Sequence, residues 1–388
     1  MERCDVLIAG AGLAGLELAR QLARRGLDVV LAERKRDPGS KVQTTGIFVR
    51  RTFDELDLPP RCLGVPIRTV TLYSPSRRRR LTLRSAKDEF RIGRMPELYR
   101  HLLRSCVELG VRFLPSTSYA GVTTGPSGST VRLETSDGAT TLDVAVLVGA
   151  DGARSRVAAD LGLDVNRRFL AGVEEVFPDP LADAEPELHC FLDPHLAPGY
   201  LAWIARDGGE VHVGLAGHSA RFDPSYALRA FLPIAAEFVP FDSAARIERR
   251  GGLIPVGGIH RRIANRHGLL VGDAAGAVSP LTAGGLDACM RMPSHVADLI
   301  ELSILNGDRR SIERFHGREL RARFASRLWM RRVLDFASSS VALTELGSAL
   351  LTAAPFRAIA RHVFFGRSSF PDRDAKLGAR GSRLGARG

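Results

Sequence analysis

The first part of the chain alternates between short apolar runs and a longer segment of helical periodicity. Residues 5–10 read DVLIAG, an apolar run of strand type, and residues 16–23 read LELARQLA, which is rich in good helix formers. A second apolar run, DVVLA at residues 28–32, ends at the acidic Glu33. The pattern predicts a strand, a tight turn, a helix and a second strand, which together form a βαβ unit.

Three glycines in that turn indicate a dinucleotide site. Gly10 permits the turn, Gly12 lets the backbone approach a pyrophosphate, and Gly15 permits close packing of the helix on the strand. The N–H groups at the helix start face the anion, and Glu33 is placed to accept the ribose hydroxyls. A glycine-rich loop without function is the alternative, and the motif alone does not separate NAD from FAD.

A segment late in the chain, residues 267–286, favours FAD over NAD. Residues 267–272 read HGLLVG, a buried-strand pattern that delivers Asp273 to a turn, and an Ala/Gly-rich stretch then leads into a helix beginning near Gly284, Gly285 and Leu286. Asp273 can hold a ribityl hydroxyl while the helix start faces the flavin. The two segments together predict bound FAD; the alternative is an ordinary strand, turn and helix packed on small residues.

A third motif, VLVGADGARSRV at residues 146–157, lies between them. The ordered set resembles the flavoprotein superfamily of aromatic-ring hydroxylases (group A flavin monooxygenases), flavin halogenases, lycopene cyclases and geranylgeranyl reductases. The resemblance implies an α/β fold: a Rossmann-like FAD-binding domain of p-hydroxybenzoate hydroxylase type, an inserted α+β substrate domain and a C-terminal helical segment. It also implies further contacts with FAD, from Leu13, Ala14, Arg34, Thr44, Thr45, Arg94, Ala120, Asp151 and Gly272.

Finer features resemble the geranylgeranyl reductase branch. Arg94 precedes a helical segment, as the branch's cofactor-side arginine does, and residues 199–215 look like its Tyr-x-x-Trp hairpin. Gly276 stands where ring hydroxylases usually carry His. The resemblance implies that Tyr200 and Trp203 line a substrate pocket; the alternative is that both are core aromatic residues on a sheet.

One loop departs from that branch. Residues 41–47 read KVQTTGI, without the cysteine that the branch usually carries near the reactive edge of the flavin. The halogenase signature Trp-x-Trp-x-Ile-Pro is also absent, because residues 200–205 read YLAWIA. Lys41 is a candidate for a halogenase-type catalytic lysine, and the alternative is a solvated side chain. No other catalytic side chain is predicted, since the chemistry resides mainly in the flavin ring.

The 388 residues, 45% of them apolar, are enough for two domains and a helical tail. We expect a discontinuous FAD-binding domain at 1–63, 94–164 and 261–305, and a substrate domain at 64–93 and 165–260. Residues 306–365 are expected to form C-terminal helices with an Arg-rich and an apolar side. That apolar side predicts a packed face, or alternatively a lid or a membrane-surface helix. The Gly/Ser/Arg-rich residues 366–388 are expected to be disordered.

Charge and composition narrow the partners. The net charge is +12, and its densest run, residues 77–80, is flanked by a hairpin pattern. We expect a solvated turn there rather than a nucleic-acid site, with an anionic partner or membrane surface as the alternative. The odd number of cysteines predicts free thiols: Cys4, Cys62, Cys106, Cys190 and Cys289. No metal site is expected, because ligand spacing is lacking among His212, His218, His260 and His267.

These features favour an FAD-dependent oxidoreductase that acts on a bulky lipophilic small molecule, isoprenoid or polyketide-like. The reaction is alkene reduction or oxygen insertion through reduced flavin, with NAD(P)H or a partner reductase as electron donor. A redox-neutral cyclase of lycopene cyclase type, a flavin halogenase and a non-catalytic flavin-binding protein are the alternatives. With no apolar run of membrane-span length and a first strand close to Met1, we expect a cytoplasmic protein, with peripheral membrane association left open, as is its oligomeric state.

Overall fold

A computed structural model describes residues 2–126, 128–181, 183–220, 222–308 and 310–366. The strands, in chain order, are β1 Glu2–Ala9, β2 Val29–Ala32, β3 Ile47–Val49, β4 Leu63–Ile67, β5 Thr69–Tyr73, β6 Arg80–Arg84, β7 Phe90–Gly93, β8 Arg112–Leu114, β9 Ser118–Thr124, β10 Ser129–Thr135, β11 Gly138–Gly149, β12 Phe169–Pro178, β13 Glu187–Phe191, β14 Ala202–Arg206, β15 Glu210–His218, β16 Glu248–Pro255, β17 Ala264–Asn265 and β18 Gly268–Leu270.

The α-helices, in the same order, are α1 Leu13–Ala23, α2 Arg50–Glu55, α3 Met95–Glu108, α4 Arg156–Asp160, α5 Pro224–Ala236, α6 Leu286–Leu305, α7 Arg310–Glu313, α8 Gly317–Arg323, α9 Ala325–Ala337, α10 Val341–Leu351 and α11 Ala354–Phe365. Short 3-10 turns lie at Pro60–Cys62, Ser243–Ala245 and Gly272–Ala275.

The first sheet is Rossmann-like. Its strands follow the order β17-β18-β11-β1-β2-β8, with β10 beside β11 and β9 beside β10. The strand β1 pairs in parallel with β2 and β11, and its residues 6–9 are almost completely buried. Burial on both faces explains why this segment is a continuous apolar run rather than an alternating one. The helix α1 packs against α3 and α6 beside this sheet. The predicted α/β fold with a Rossmann-like domain is confirmed.

The second sheet has the order β16-β12-β15-β14-β13-β5-β6. The strands β5 and β6 form the hairpin expected from the sequence, and the arginines at 77–80 are exposed in and beside its turn. The strand β5 joins the sheet by parallel pairing with β13, so residues from both predicted parts of the substrate domain share one sheet. The helix α5 packs on this sheet through Leu228 and Phe231, which lie in one buried cluster with Phe177. A small third sheet has the order β3-β7-β4.

The helices α9, α10 and α11 form the predicted C-terminal helical segment. Ala360 and Phe365 of α11 are buried in one cluster with Leu72 of β5 and Cys190 of β13. Among the described residues, no helix is long and apolar enough to cross a membrane. The predicted disordered tail lies outside the described residues from 367 onward. All five cysteines are free thiols, as predicted.

Candidate functional site: a dinucleotide cradle beneath an apolar cavity

The turn between β1 and α1 admits only glycine at two of its three motif positions. A Cβ on Gly10, which has a φ of +107°, would lie 2.4 Å from the carbonyl oxygen of Ala150, and one on Gly15 would lie 2.0 Å from that of Gly10. A Cβ on Gly12 would meet no heavy atom within 4 Å, so space is open above the turn. The helix α1 begins there without a side-chain cap, which leaves its first N–H groups for an anion.

Glu33 ties the end of β2 to the same turn. Its carboxylate is buried and accepts hydrogen bonds from the backbone N–H of Ala11 (2.8 Å) and of Lys35 (3.0 Å). Arg34 and Lys35, the next residues, line the cavity described below, whereas Glu33 does not. Burial lowers the pKa of Lys35, whose ammonium group donates to the carbonyl oxygen of Ser40 at 2.8 Å.

The late motif meets the early one directly. A Cβ on Gly272, which has a φ of +60°, would lie 2.9 Å from the Cβ of Ala14 on α1. Asp273 follows, and burial raises the pKa of its carboxyl group to about 6. Gly285 precedes α6, a 20-residue helix without a side-chain cap, and its Cβ position lies 3.5 Å from Asp273 Oδ1.

These groups fit FAD. Burial raises the pKa of the Asp273 carboxyl group, and no described residue donates a hydrogen bond to its carboxylate oxygens. A ribityl hydroxyl of FAD would supply the missing donor. The uncapped starts of α1 and α6 leave N–H groups that could hold the phosphates and the flavin of FAD. The cavity brings together most of the predicted cofactor residues, namely Leu13, Ala14, Arg34, Thr44, Thr45, Asp151, Gly272, Asp273, Gly284, Gly285 and Leu286.

Asp151 lines the cavity but has its side chain engaged elsewhere, and Arg94, Ala120 and Lys41 lie outside the lining. The Asp151 carboxylate caps the start of α4, where it accepts hydrogen bonds from the Ser155 hydroxyl (2.6 Å) and from the Arg156 N–H (2.7 Å). Arg94 is exposed at the N-cap of α3, and Ala120 is buried in β9; neither lines the cavity. Lys41 is exposed with a φ of +46°, and it also lies outside the cavity lining.

The loop at residues 41–47, which we call the flavin loop, is clamped to the second sheet. The N–H of Gly251 donates to the side chain of Gln43 (2.8 Å), and Arg250 donates to the carbonyl oxygen of Thr44 (3.1 Å). The hydroxyl of Thr45 donates to Glu174 Oε2 at 2.5 Å. Three consecutive loop residues are therefore held by neighbouring strands β12 and β16, which fixes the loop at one wall of the cavity.

Glu174 is the centre of a buried polar cluster that the sequence reasoning missed. Trp203 Nε1 donates to its Oε2 (3.0 Å), while Arg250 and His212 Nδ1 both lie 3.4 Å from its Oε1. Burial raises the pKa of Glu174, but the hydrogen bonds from His212 and Thr45 and the charge of Arg250 outweigh it and lower the pKa. The available signal was an acidic pair at 174–175 inside an apolar strand, where an unpaired carboxylate would be costly.

One cavity of about 1070 Å³ includes the dinucleotide cradle and this cluster and extends to the C-terminal helices. Tyr200 and Trp203 both line it, and the Tyr200 hydroxyl donates to the carbonyl oxygen of Thr282 at 2.5 Å. Beyond them the lining is largely apolar and comes from α9, α10 and α11, including Trp329, Val333, Leu334, Leu350, Phe356 and Ile359. The part of the cavity beyond the dinucleotide cradle, with its largely apolar lining, suits an apolar ligand.

The comparisons with known proteins point to the same cofactor. Residues 3–198 match the family described as FAD binding domain. The digeranylgeranylglycerophospholipid reductase of Methanothrix thermoacetophila is 26% identical over 327 residues, which cover 79% of this chain and 80% of that protein.

Solved structures with the same fold include proteins named as reductases and as monooxygenases. A geranylgeranyl bacteriochlorophyll reductase-like protein from Thermoplasma acidophilum superposes with a TM-score of 0.74 at 19% identity, covering 94% of this chain and 100% of that one. A probable FAD-dependent monooxygenase from Pseudomonas aeruginosa, pqsL, has a TM-score of 0.67 at 20% identity, with 89% and 99% covered. The resemblance drawn from the three motifs is confirmed. From motif, geometry and similarity together, the chain belongs to the FAD binding domain family and is an FAD-dependent oxidoreductase.

Proposed function

We propose that the protein reduces carbon–carbon double bonds in the isoprenoid chains of a lipid. The observation that carries the proposal is the apolar cavity, which joins the flavin loop to the C-terminal helices and has room for a long hydrocarbon chain. The similarity to the digeranylgeranylglycerophospholipid reductase supports the same substrate class.

The position of the cavity mouth supports a substrate that arrives from a membrane. Several residues both line the cavity and are exposed, among them Trp329 (64%), Val333 (46%) and Ile359 (48%). Phe336, 68% exposed on α9, extends this apolar patch. The arginine-rich turn at 77–80 lies close by, since the N–H of Ser76 donates to Glu345 of α10 at 2.6 Å. An apolar patch beside exposed arginines is suited to an anionic lipid surface.

Bound FAD would supply a hydride from its reduced ring. The residues of this chain have simpler tasks. Hydrogen bonds that join Gln43, Thr44 and Thr45 to the second sheet hold the flavin loop in place, and Trp203 is hydrogen-bonded to Glu174. These contacts fix this wall of the cavity. The apolar lining excludes water and orients the hydrocarbon chain. For the electron donor we propose NAD(P)H that docks transiently or a partner reductase.

Anaerobic single turnover tests this function. FAD-loaded protein, chemically reduced, is mixed with a geranylgeranyl-chain lipid in vesicles, and we expect a product that has gained one pair of hydrogen atoms for each flavin that is oxidised. Ala337→Phe narrows the cavity lining on α9 and should slow this step while FAD stays bound. Ala342→Phe, on an exposed position of α10 outside the lining, is the matched control.

Oxygen insertion is the second candidate, and the flavin loop is the observation that favours it. Residues 41–47 contain no cysteine, whereas the loop of the geranylgeranyl reductases that this stretch resembles usually carries one, so the reductase pattern is incomplete in this loop. If product forms only after oxygen is admitted, the reaction is oxygen insertion and the proposed reduction is wrong. A rearranged product with flavin still reduced would instead indicate a cyclase.

A further inference from the structure

A chain of ionisable groups runs from the surface to the cavity wall. Glu174, with its side chain 4% exposed, lines the cavity, and behind it lies His212, 2% exposed. Asp207 (10%) and Glu210 (38%) follow at the turn between β14 and β15. The four side chains therefore progress from a buried pocket wall to solvent, through one imidazole.

The inner contact in this chain is a hydrogen bond between two buried groups. His212 Nδ1 lies 3.4 Å from Glu174 Oε1, and Glu174 Oε2 faces the Thr45 hydroxyl at the flavin loop. Glu174 thus touches the imidazole with one oxygen and the cavity-lining side chains with the other. Such an arrangement lets a proton enter the carboxyl group on one side and leave it on the other.

The outer contact is looser and reaches solvent. His212 Nε2 has no hydrogen-bond partner among the described residues, and Asp207 Oδ2 and Glu210 Oε2 each lie 3.8 Å from it. Asp207 is oriented by the N–H groups of Gly209 (2.9 Å) and Glu210 (2.6 Å), which bind its other oxygen. Three carboxylates thus surround the imidazole.

We propose that His212 supplies a proton that Glu174 delivers to the cavity, and that Asp207 and Glu210 keep His212 protonated. The inference rests on the proposed reductase function. Saturating one double bond takes a hydride, which carries two electrons from reduced flavin, and one proton. His212, protonated on both ring nitrogens, passes its Nδ1 proton to the Glu174 carboxylate, and Glu174 gives that proton to the second alkene carbon and becomes a carboxylate again. The neutral imidazole that remains keeps its Nε2 proton and regains a proton at Nδ1 from water before the next turnover; Asp207 and Glu210, which face its Nε2, favour this reprotonation by stabilising the imidazolium.

The surrounding charges keep the proton on His212 at rest. Burial lowers the pKa of His212, but Asp207 and Glu174 outweigh it and raise the pKa to about 9. Arg250 faces Glu174 from β16 and is itself paired with Glu248 at 2.7 Å, so its charge is shared between two carboxylates. An imidazolium with a carboxylate on each side is a proton store near neutral pH.

The first test reads protonation and needs no turnover. Nitrogen-15 NMR of histidine side chains in FAD-loaded protein, with His212 assigned by its loss in His212→Gln, should show both ring nitrogens protonated up to a pH near 9. Glu174→Gln should lower that midpoint by about one pH unit or more, because the variant removes a facing charge. Glu175→Gln is the matched control: Glu175 is the next residue on β12, but it pairs with Arg246 (2.9 Å) and should leave the midpoint unchanged.

The second test reads proton supply in anaerobic single turnover. Glu174→Gln should slow alkene reduction by about tenfold or more, within the range expected for loss of a general acid, with FAD content and chemical reduction of the flavin unchanged. Glu210→Gln, at the half-exposed outer end, should fold normally and slow reduction mainly at high pH, where protons are scarce.

Several results would overturn the proposal. One is a neutral His212 at pH 7 in the wild-type protein, and another is a Glu174→Gln rate equal to that of Glu175→Gln. Stoichiometric binding of Zn²⁺ by wild-type protein that is lost in Glu210→Gln would also overturn it, since the cluster would then hold a cation. If wild-type protein reduces no alkene at all, the proposed function fails, and the NMR titration still decides whether the buried pair exists.

Discussion

At the inner end of the cavity the walls are largely backbone, whereas at the outer end they are side chains of three amphipathic helices. The inner turns at Gly10, Gly15 and Gly272 leave no room for a Cβ. The outer residues Trp329 and Phe336 are more than half exposed. The difference teaches that the cofactor end depends on a geometry that tolerates almost no change, while the outer end presents apolar area, which many residues can supply.

Gly15→Ala should have the largest effect and act on the inner end alone. The new methyl group would lie 2.0 Å from the Gly10 carbonyl oxygen, so the turn must shift, at a cost of about 3 kcal/mol in the free energy of unfolding. Urea unfolding of the apoprotein measures this. Gly12→Ala is the control, because its methyl group meets no protein atom within 4 Å; it should leave apoprotein stability nearly unchanged and weaken FAD binding. Equal unfolding midpoints for the two variants would contradict the backbone account.

Asp273→Ala should come next, with the fold intact. Loss of a charge-assisted hydrogen bond to a cofactor hydroxyl costs roughly 1.5 to 3 kcal/mol, or about one to two decades in FAD affinity. Fluorescence titration with FAD measures this. Glu33→Ala should weaken FAD binding by a similar amount and also destabilise the apoprotein, since it leaves the N–H groups of Ala11 and Lys35 without their acceptor. Unchanged FAD affinity in both variants would refute their roles.

Phe336→Ser should affect only the outer end. If the exposed apolar patch binds membranes as proposed, removing one aromatic ring from it should weaken binding to anionic vesicles by about tenfold, equivalent to about 1.4 kcal/mol, with FAD affinity unchanged. Vesicle co-sedimentation at fixed salt gives the partition coefficient. Tyr226→Ser, 67% exposed on α5 and away from the C-terminal helices, is the control and should bind like wild type. Equal losses in both variants would mean that the patch has no special role.

Lys41→Ala should have the smallest effect. The side chain is exposed and outside the cavity lining, so FAD affinity and turnover should stay within about twofold of wild type, as for most exposed positions. Steady-state turnover and FAD titration check this together. Loss of turnover with FAD still bound and reducible would indicate an oxygen-dependent, halogenase-type mechanism instead.

The inner end was predictable because its requirements are local in sequence. Gly10, Gly12 and Gly15 lie within six residues, and a strand before them and a helix after them complete the signal. The Glu174 cluster was not predictable in this way. Glu174, His212 and Arg250 are far apart in the chain and meet because β12 pairs with both β15 and β16, a register that the sequence pattern does not specify.

Motif resemblance also left side-chain roles open. The segment containing Asp151 was recognised, yet its carboxylate accepts hydrogen bonds at the start of α4, which the nearby Ser155 and Arg156 complete. In the flavin loop, a Cβ on Gly46 would lie 2.6 Å from the side chain of Met95. A bulky substitution at 46 would therefore disturb packing as well as chemistry, and only the three-dimensional neighbours reveal this.

The outer wall of the cavity is encoded by the stretch that forms α9, α10 and α11, after the last FAD motif in the chain. Divergence can therefore act on the two ends separately: mutations in these helices alter the depth and mouth of the cavity without touching the glycine turns that hold the dinucleotide. Gene lineages that share one flavin cradle can acquire substrates of different chain length by rewriting about forty residues. An ancestral flavoprotein of this design would need no new cofactor chemistry to enter a new lipid pathway.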